Sequence, residues 1–481
     1  MSPSGKRTTR TPRAVRTLAA ACAIGLVAAL VCADGQPRVG AANQAAPRIQ
    51  PAARSADAEF ADLVRELQNR KPEFARRQQE LLARRYDLAD RPAPGVAMSR
   101  GKPVQAGVRV RLPDGMTWEK LAVMSPDQIK KQKVWPEGFL PLPHPHHEAG
   151  GMVFPKSQID ELKRQTDRDL TRFDLDFDLP DHFLPEFPAP IYLTTRPDLG
   201  DVSQGQLVTL ANYYALFKDV LNPKQLEGLR LLVTPFPQAQ FNATHDRRSL
   251  RAHQGVSCFD CHANGHTNAA THTVGDIRPN EHRHRIDTPT LRGVNVQRLF
   301  GSQRALKTVE DFTEFEQRAA YFDGDPEQAQ RKGVNILERG SQVHFMAEFQ
   351  ALLDFPPAPK LNVLGKLDPK QASPAELSGQ ALFFGKAQCG ICHPAPYYTD
   401  NLMHNLRAER FYKEVLINGR LASADGPIKT FPLRGIKDSP PYLHDDRLLT
   451  LEDTVEFFNL VLGLGLTDPE KKDVVAFLRA L

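Results

Sequence analysis

Two short stretches of the chain, Cys258-Phe-Asp-Cys261-His262 and Cys389-Gly-Ile-Cys392-His393, share the pattern C-x-x-C-H. The sequence has six cysteines, and all except Cys22 and Cys32 lie in these two motifs. Two cysteines at this spacing can each form a thioether to one vinyl group of a haem, and the histidine that follows can bind the iron. The pattern therefore predicts two covalently bound haems c. The residues assigned to the haems are Cys258, Cys261, His262, Cys389, Cys392 and His393.

Zinc binding and disulfide formation are the alternatives for these cysteines. The interval from Cys261 to Cys389 is far longer than the one between the two pairs of a zinc ribbon, and each C-x-x-C pair is followed directly by a histidine. The spacing therefore favours haem over both alternatives.

Residues 1–33 have the features of a signal peptide. A basic head without acidic residues, from Lys6 to Arg16, precedes an apolar run over residues 18–31. This run is shorter than the ~20 residues that a membrane-spanning helix needs. We predict a periplasmic or otherwise exported protein with no membrane span after cleavage, an uncleaved anchor being the alternative.

The charge of the chain is balanced once this head is removed. The sequence has 62 Lys and Arg residues and 57 Asp and Glu residues, and five of the cations lie in the signal range. The mature protein is therefore expected to be near neutral, which argues against a nucleic-acid partner.

Two pairs of similar segments indicate an internal duplication. Residues 288–294 (TPTLRGV) are echoed by residues 430–436 (TFPLRGI), and residues 307–315 (KTVEDFTEF) by residues 449–457 (LTLEDTVEF). The two pairs have the same offset along the chain, which favours a duplicated domain.

Helix signals complete the outline of the fold. Residues 56–90 have helical spacing of apolar residues, whereas residues 91–205 are Pro-rich and irregular. Ser373 and Thr467 each begin a capping box ahead of an apolar helical face. We predict a mainly α fold, with two tandem cytochrome c-like haem domains and a Pro-rich, less regular N-terminal region that packs around the first of them. The predicted ranges are a signal peptide at 1–33, a linker at 34–55, an N-terminal region of unknown role at 56–205, a first haem domain at 206–372 and a second at 373–481.

Four segments around the second motif resemble the bacterial dihaem cytochrome c peroxidase family, which includes the methylamine-utilisation dihaem enzyme. They are residues 379–385 (GQALFFG), 398–401 (YTDN), 430–445 (TFPLRGIKDSPPYLHD) and 450–459 (TLEDTVEFFN), and the resemblance extends over about residues 240–481. It implies that the first haem reacts with peroxide and that the second is a low-spin haem that relays electrons.

The resemblance also implies a calcium ion between the two domains. Asp287 matches the family's calcium-binding asparagine, and Ser439 and Pro441 match positions that provide carbonyl oxygens. Calcium prefers oxygen ligands, so an aspartate is compatible with this role. The alternative is that Asp287 only caps a turn.

The expected sixth ligand of the second haem is missing. The family has Met or Tyr at the position of Phe458, and a phenyl ring cannot bind iron. We expect His444 to take this place, with Met403 and His404 as alternatives.

The surroundings of the first haem also depart from the family. The family's removable histidine ligand aligns near Asp276, and His266 and His272 are the nearby histidines that can replace it. The tryptophan that the family places between its haems is absent from residues 300–304 (FGSQR).

The distal residues of the first haem bear on its chemistry. The family's distal Gln aligns at or beside Phe312, and the candidate distal acids are Glu310, Glu316 and Asp323. Cleavage of peroxide needs a group that moves a proton between the two oxygens, whereas an apolar pocket suits dioxygen better.

We therefore expect an oxidoreductase of the peroxidase type. The expected partners are hydrogen peroxide or dioxygen and a small redox donor protein, either a cytochrome c or a cupredoxin, with a homodimer as one option for the assembly. The alternatives are a dihaem oxygenase or oxidase with an apolar distal pocket, an electron-transfer cytochrome without catalysis, and a haem-based sensor.

Overall fold

The computed structural model confirms a mainly helical architecture with short, scattered strands. It describes residues 60–145, 152–170, 175–176, 178–235, 256–272, 285–316, 336–417, 420–421 and 426–481. The predicted signal peptide and linker, together with Asp276 and Asp323, lie outside these ranges. All the described residues belong to one structural unit, Ile49–Leu481.

The helices are concentrated at the beginning of the described chain and around the two motifs. The long helix predicted within residues 56–90 is present. The helix Tyr213–Phe217 is short and follows a turn in which the Asn212 side chain accepts a hydrogen bond from the Thr209 backbone. The α-helices are α1 (Phe60–Arg85), α2 (Trp118–Ala122), α3 (Pro126–Gln132), α4 (Lys156–Thr166), α5 (Tyr213–Phe217), α6 (Pro223–Leu232), α7 (Cys258–Cys261), α8 (Val309–Glu316), α9 (Ile336–Gln350), α10 (Pro374–Phe384), α11 (Leu451–Leu462) and α12 (Asp468–Ala480).

The strands form small antiparallel sheets that connect distant parts of the chain. The strands are β1 (Pro92–Ala97), β2 (Pro103–Gln105), β3 (Met152–Val153), β4 (Thr271–His272), β5 (Ile286–Asp287), β6 (Met403–Asn405), β7 (Leu416–Ile417), β8 (Arg420–Leu421) and β9 (Pro427–Lys429). β1 pairs with β2, β6 with β9 and β7 with β8, and the three-stranded sheet has the order β3-β4-β5. In that sheet Met152 pairs with His272, so the N-terminal region contributes a strand beside the first motif.

Each motif is accompanied by a closely crossed pair of helices. A Cβ atom added at Gly379 of α10 would lie 1.9 Å from the carbonyl oxygen of Asp473 in α12. A Cβ atom added at Gly228 of α6 would lie 1.8 Å from the carbonyl oxygen of Phe345 in α9. Only glycine allows backbones to approach this closely. Both α6 and α10 also begin with a capping box and a proline, as predicted for Ser373.

The echoed segments adopt the same backbone turn in the two halves. Gly293 has a φ of 71° and Gly435 has a φ of 72°. This left-handed conformation favours glycine. The sequence repeat therefore corresponds to a repeated local structure.

The N-terminal region packs chiefly beside the second motif. Trp135 stacks on Phe411 with ring centroids 4.6 Å apart, and Phe139 meets the edge of Phe457 at 5.3 Å. The expectation that this region surrounds the first haem segment holds only for the part around β3 and α4, where Gln158 donates to the Asp260 carbonyl oxygen. Aromatic side chains from both sides close one apolar core, which local sequence patterns do not encode.

Among the described residues, no helix has both the length and the apolar character needed to cross a membrane.

Gly379→Ala is expected to lower the midpoint of thermal unfolding, because its Cβ would overlap the Asp473 carbonyl oxygen. Overpacking of this kind costs about 1–3 kcal/mol. Thermal unfolding followed by circular dichroism provides the measurement. Gly340→Ala is the matched control, since nothing lies within 4 Å of its added Cβ and alanine favours a helix. A midpoint of Gly379→Ala equal to that of the unaltered protein would contradict the close crossing.

Candidate haem sites

The first motif forms one turn of helix, α7, whose start is fixed by polar contacts. The Asp260 carboxylate accepts a hydrogen bond from the Ser257 backbone N–H at 2.7 Å and pairs with Arg168, with 3.2 Å between Nη1 and Oδ1. Residues three apart on a helix share one face, so this turn brings Cys258 and Cys261 to the same side. The structure thus presents the two thiols together.

His262 is oriented by a backbone carbonyl from the echoed segment. Its Nδ1–H donates to the carbonyl oxygen of Pro289 at 2.8 Å. Burial lowers the pKa of His262 to about 4, so the imidazole is neutral. A neutral imidazole that donates through Nδ1 has its lone pair on Nε2, which is the arrangement of a metal-binding histidine.

The second motif repeats this arrangement. Cys389–Ile391 form a single 3₁₀ turn, and the Nδ1–H of His393 donates to the carbonyl oxygen of Tyr398 at 2.7 Å. Burial lowers the pKa of His393 as well. His393 therefore also keeps Nε2 for a ligand.

The motif cysteines keep their thiol groups in the structure. None of the four forms a disulfide. Burial raises the pKa of Cys261 well above its usual value and the pKa of Cys389 to about 12, so both thiols are protonated.

The zinc site composed of the two C-x-x-C pairs is not formed. In the described part of the chain, the one group of three or more metal-binding side chains within reach of each other consists of Cys392, Asp400 and His404. The two motifs therefore remain separate sites. Their paired thiols and oriented histidines fit two haems c.

The candidates for the sixth position of the first haem are distinguished by their contacts. His266 uses both ring nitrogens, with Nδ1 at 2.7 Å from the Thr290 hydroxyl and Nε2 at 2.9 Å from the Asp438 carbonyl oxygen. His266 is thus an internal structural residue. Burial is the main cause of the lowered pKa of His262, and the neighbouring His272 lowers it further. His272 is therefore the better candidate of the two.

The candidate sixth ligands of the second haem, His404 and His444, do not lie where the sequence led us to expect them. His404 lies near His393, and its Nε2 contacts the Asp400 carboxylate at 2.7 Å. The favoured His444 instead adjoins a buried acidic cluster, where its carbonyl oxygen accepts from the Asp287 backbone at 2.9 Å. Phe458 packs at the edge of the large apolar core. The geometry thus gives His404 the better position.

The candidate distal residues share helix α8, which is held to α9 by the hydrogen bond from Gln350 Nε2 to the Thr313 hydroxyl at 2.9 Å. Glu316 is an electrostatic neighbour of Cys261 and so lies on the side of the first motif. Glu310 faces His344 at 3.5 Å, and its side chain is 45% exposed. Phe312, between them, is half-buried. Glu316 is therefore the acid that the fold brings to the haem segment.

The predicted calcium residues lie in two neighbouring networks. Asp287 faces Asp446, and one buried oxygen of each carboxyl group, Oδ1, has no hydrogen-bond partner among the described residues. Burial raises the pKa of both carboxyl groups, that of Asp446 to about 7. Ser439 follows Asp438, whose carboxylate is held by Arg292 at 3.2 Å. The unsatisfied oxygens on Asp287 and Asp446 suit a cation, and the resemblance did not point to Asp446.

A buried ionic network that sequence patterns did not reveal joins three parts of the chain. Arg285 pairs with Asp178 of the N-terminal region and, at 3.4 Å, with Asp446 of the second half. Leu142 of the N-terminal region also donates its backbone N–H to Asp445 at 2.7 Å. No local pattern marks partners that lie so far apart along the chain, so only the fold identifies them.

Some known proteins are similar to part of this chain. No family model matches the chain. The cytochrome-c peroxidase IdrP1 of Denitromonas iodatirespirans is 33% identical, with 23% of this chain and 42% of that protein covered. The methylamine utilization protein MauG of Methylorubrum extorquens is 29% identical, with 21% of this chain and 33% of that protein covered. The solved structure of the diheme peroxidase BthA from Burkholderia thailandensis has 18% identity and a TM-score of 0.36, with 54% of this chain and 86% of that chain covered.

The chain spans between one third and about two fifths of the length of the curated relatives it matches. The matched relatives carry the names cytochrome-c peroxidase and MauG, and two separate C-x-x-C-H motifs present their histidines for iron. Over the matched parts, the chain is thus similar to cytochrome-c peroxidases and to MauG.

Proposed function

We propose that this protein is an exported dihaem c-type cytochrome that reduces hydrogen peroxide. In this proposal the haem held by His262 is the reactive one, and the haem held by His393 relays electrons from a small cytochrome c or cupredoxin. The observation that carries the proposal is the repeated orientation of the two motif histidines by backbone carbonyls, each beside a pair of cysteines that form no disulfide. Residues 206–372 and 373–481 would then be the two haem domains, with residues 56–205 as a packing extension.

The proposal assigns iron binding and proton transfer at the first haem to different side chains. When bound, the haem supplies an iron centre that can exchange electrons with peroxide. His262 would bind the iron through Nε2, because its Nδ1–H donates to the Pro289 carbonyl oxygen. In this proposal Glu316 would accept a proton from one peroxide oxygen and return it to the other. His272 is the second group that can hold a proton there.

Each motif is expected to carry its own haem. The unaltered protein, produced by export together with a haem-attachment system, should contain two covalently bound haems. The double variant Cys389→Ser/Cys392→Ser should contain one haem, because both thioethers of the second site are removed. Denaturing gel electrophoresis with haem staining and an alkaline pyridine assay measure the ratio. Cys22→Ser is the control and should keep two haems, and an unaltered chain without bound haem would refute the proposal.

Glu316→Gln is expected to lower peroxide turnover by about 10²–10⁴-fold, the usual contribution of a general acid–base group. Turnover is measured as peroxide-dependent oxidation of a reduced small cytochrome c. Glu314→Gln on the same helix is the matched control and should retain turnover. If Glu310→Gln loses turnover and Glu316→Gln retains it, the acid–base role belongs to Glu310, the acid beside His344.

A dihaem oxygenase is the second candidate function, and half-buried Phe312 on α8 favours it because it makes that side of the helix less polar. Electron paramagnetic resonance with spin counting, before and after one equivalent of hydrogen peroxide, separates the alternatives. A high-spin ferric signal that peroxide consumes supports the peroxidase. A high-spin signal that persists with peroxide supports the oxygenase, and two unchanged low-spin signals support an electron carrier.

Calcium is proposed to bind beside Asp287, with Asp446 as an additional ligand. A ligand at 100 times its dissociation constant stabilises the folded state by about 2.7 kcal/mol. Addition of a chelator should therefore lower the midpoint of thermal unfolding, and calcium, but not equimolar sodium, should restore it. Asp287→Ala should weaken the calcium effect because it removes the side-chain oxygens, and the exposed Asp219→Ala should preserve it. A midpoint that is independent of calcium would contradict the site.

A further inference from the structure

Lys429 is a buried lysine at the junction of the two halves of the protein. Its residue is only 3% exposed. Its backbone N–H donates to the Ser302 carbonyl oxygen at 2.9 Å, and Gln303 Nε2 donates to the carbonyl oxygen of Pro427 in the same strand at 3.0 Å. Strand β9 is thus joined directly to the segment of the first half in which the family's inter-haem tryptophan is absent.

The ammonium group of Lys429 has no anionic partner among the described residues. Nζ donates to Gln297 Oε1 at 2.8 Å and lies 5.3 Å from the ring centroids of both Phe300 and Phe431. The faces of aromatic rings attract a cation, but less strongly than a carboxylate does. A buried charge is stable only when it is paired.

A second cation increases this imbalance. Burial lowers the pKa of Lys429 to about 7, and the positive charge of Arg304 contributes to this shift. No carboxylate of the described chain opposes it. Arg304 Nε is itself buried without a hydrogen-bond partner among the described residues. A buried lysine beside a half-buried arginine, without an anion among the described residues, indicates a missing negative charge.

The position of this pair identifies the source of that charge. The backbone carbonyl oxygen of Thr430, next to Lys429, accepts from the Thr399 hydroxyl at 2.6 Å, and the adjoining Tyr398 provides the carbonyl oxygen that orients His393. Lys429 therefore lies in the segment that supports the iron ligand of the second motif. Haem c uses its vinyl groups for the thioethers, so its two propionate carboxylates remain free and anionic at neutral pH.

We propose that Lys429, assisted by Arg304, is the counter-ion of a propionate of the haem attached at Cys389 and Cys392. This inference rests on the proposed function only in that the second motif holds a haem. Lys429 is a positioning residue in this role, because it fixes one edge of the haem against the segment that leads to the first half. Its positive charge also favours the reduced state of that haem, which has one positive charge fewer.

The test uses the full-length exported protein with its haems attached. Resonance Raman spectra record the propionate bending bands, and a spectroelectrochemical titration records the midpoint potential of each haem. Lys429→Met removes the charge at similar length, and Lys429→Arg keeps it. Lys413→Met removes an exposed lysine of the same half and is the matched control. Arg304→Gln, at a less buried position, provides the same readouts if Lys429→Met does not fold.

Lys429→Met is expected to shift a propionate band of one haem and to lower the midpoint potential of that haem. Lys429→Arg should give smaller shifts, Arg304→Gln a smaller shift in the same direction, and Lys413→Met none. Unchanged propionate bands in Lys429→Met and Arg304→Gln, with both haems attached, would overturn the inference and assign the cations to a carboxylate of the protein or an inorganic anion. A chain that attaches no haem at the second motif would refute the proposed function together with this inference. Band shifts in a protein without peroxide turnover would refute the peroxidase activity alone.

Discussion

The hydrogen bond from each motif histidine to a backbone carbonyl is the contact on which the functional arrangement depends. It determines which ring nitrogen carries the proton and therefore which one can bind iron. In the first half, the carbonyl belongs to Pro289 in the echoed segment, whose shape requires the left-handed turn at Gly293. The motif alone therefore does not orient its histidine, because a separate segment further along the chain has to provide the acceptor.

The helix crossings have the corresponding role for the scaffold. Gly228 and Gly379 allow one helix before each motif to contact the backbone of a later helix. In each half, the motif and its echoed segment lie between these two crossing helices along the sequence. This repeated construction explains why the two halves keep similar local structure although the segments between their matching parts differ in length.

The polar interior connects the halves to the N-terminal region. Arg285 pairs with acidic residues from both sides, while the Asp445 carboxylate accepts from the backbone of Leu142. Breaking a buried ion pair leaves an uncompensated charge, which is strongly unfavourable. Such contacts favour one relative arrangement of the three parts over sliding alternatives. The same reasoning gives meaning to the cations at Lys429 and Arg304, for which the described chain provides no carboxylate.

The sequence by itself determined the features that depend on local covalent geometry. The spacing within C-x-x-C-H indicated the haem attachment residues, the repeat indicated the duplication, and the capping box at Ser373 indicated the start of a helix.

Only the tertiary structure decided the contacts between distant segments. It engaged His266 in two hydrogen bonds, placed His404 rather than His444 near His393, and separated Glu316 from Glu310 along one helix. It also packed Trp135 against the second half. These outcomes depend on which side chains meet across loops of variable length, and neither spacing nor periodicity carries that information.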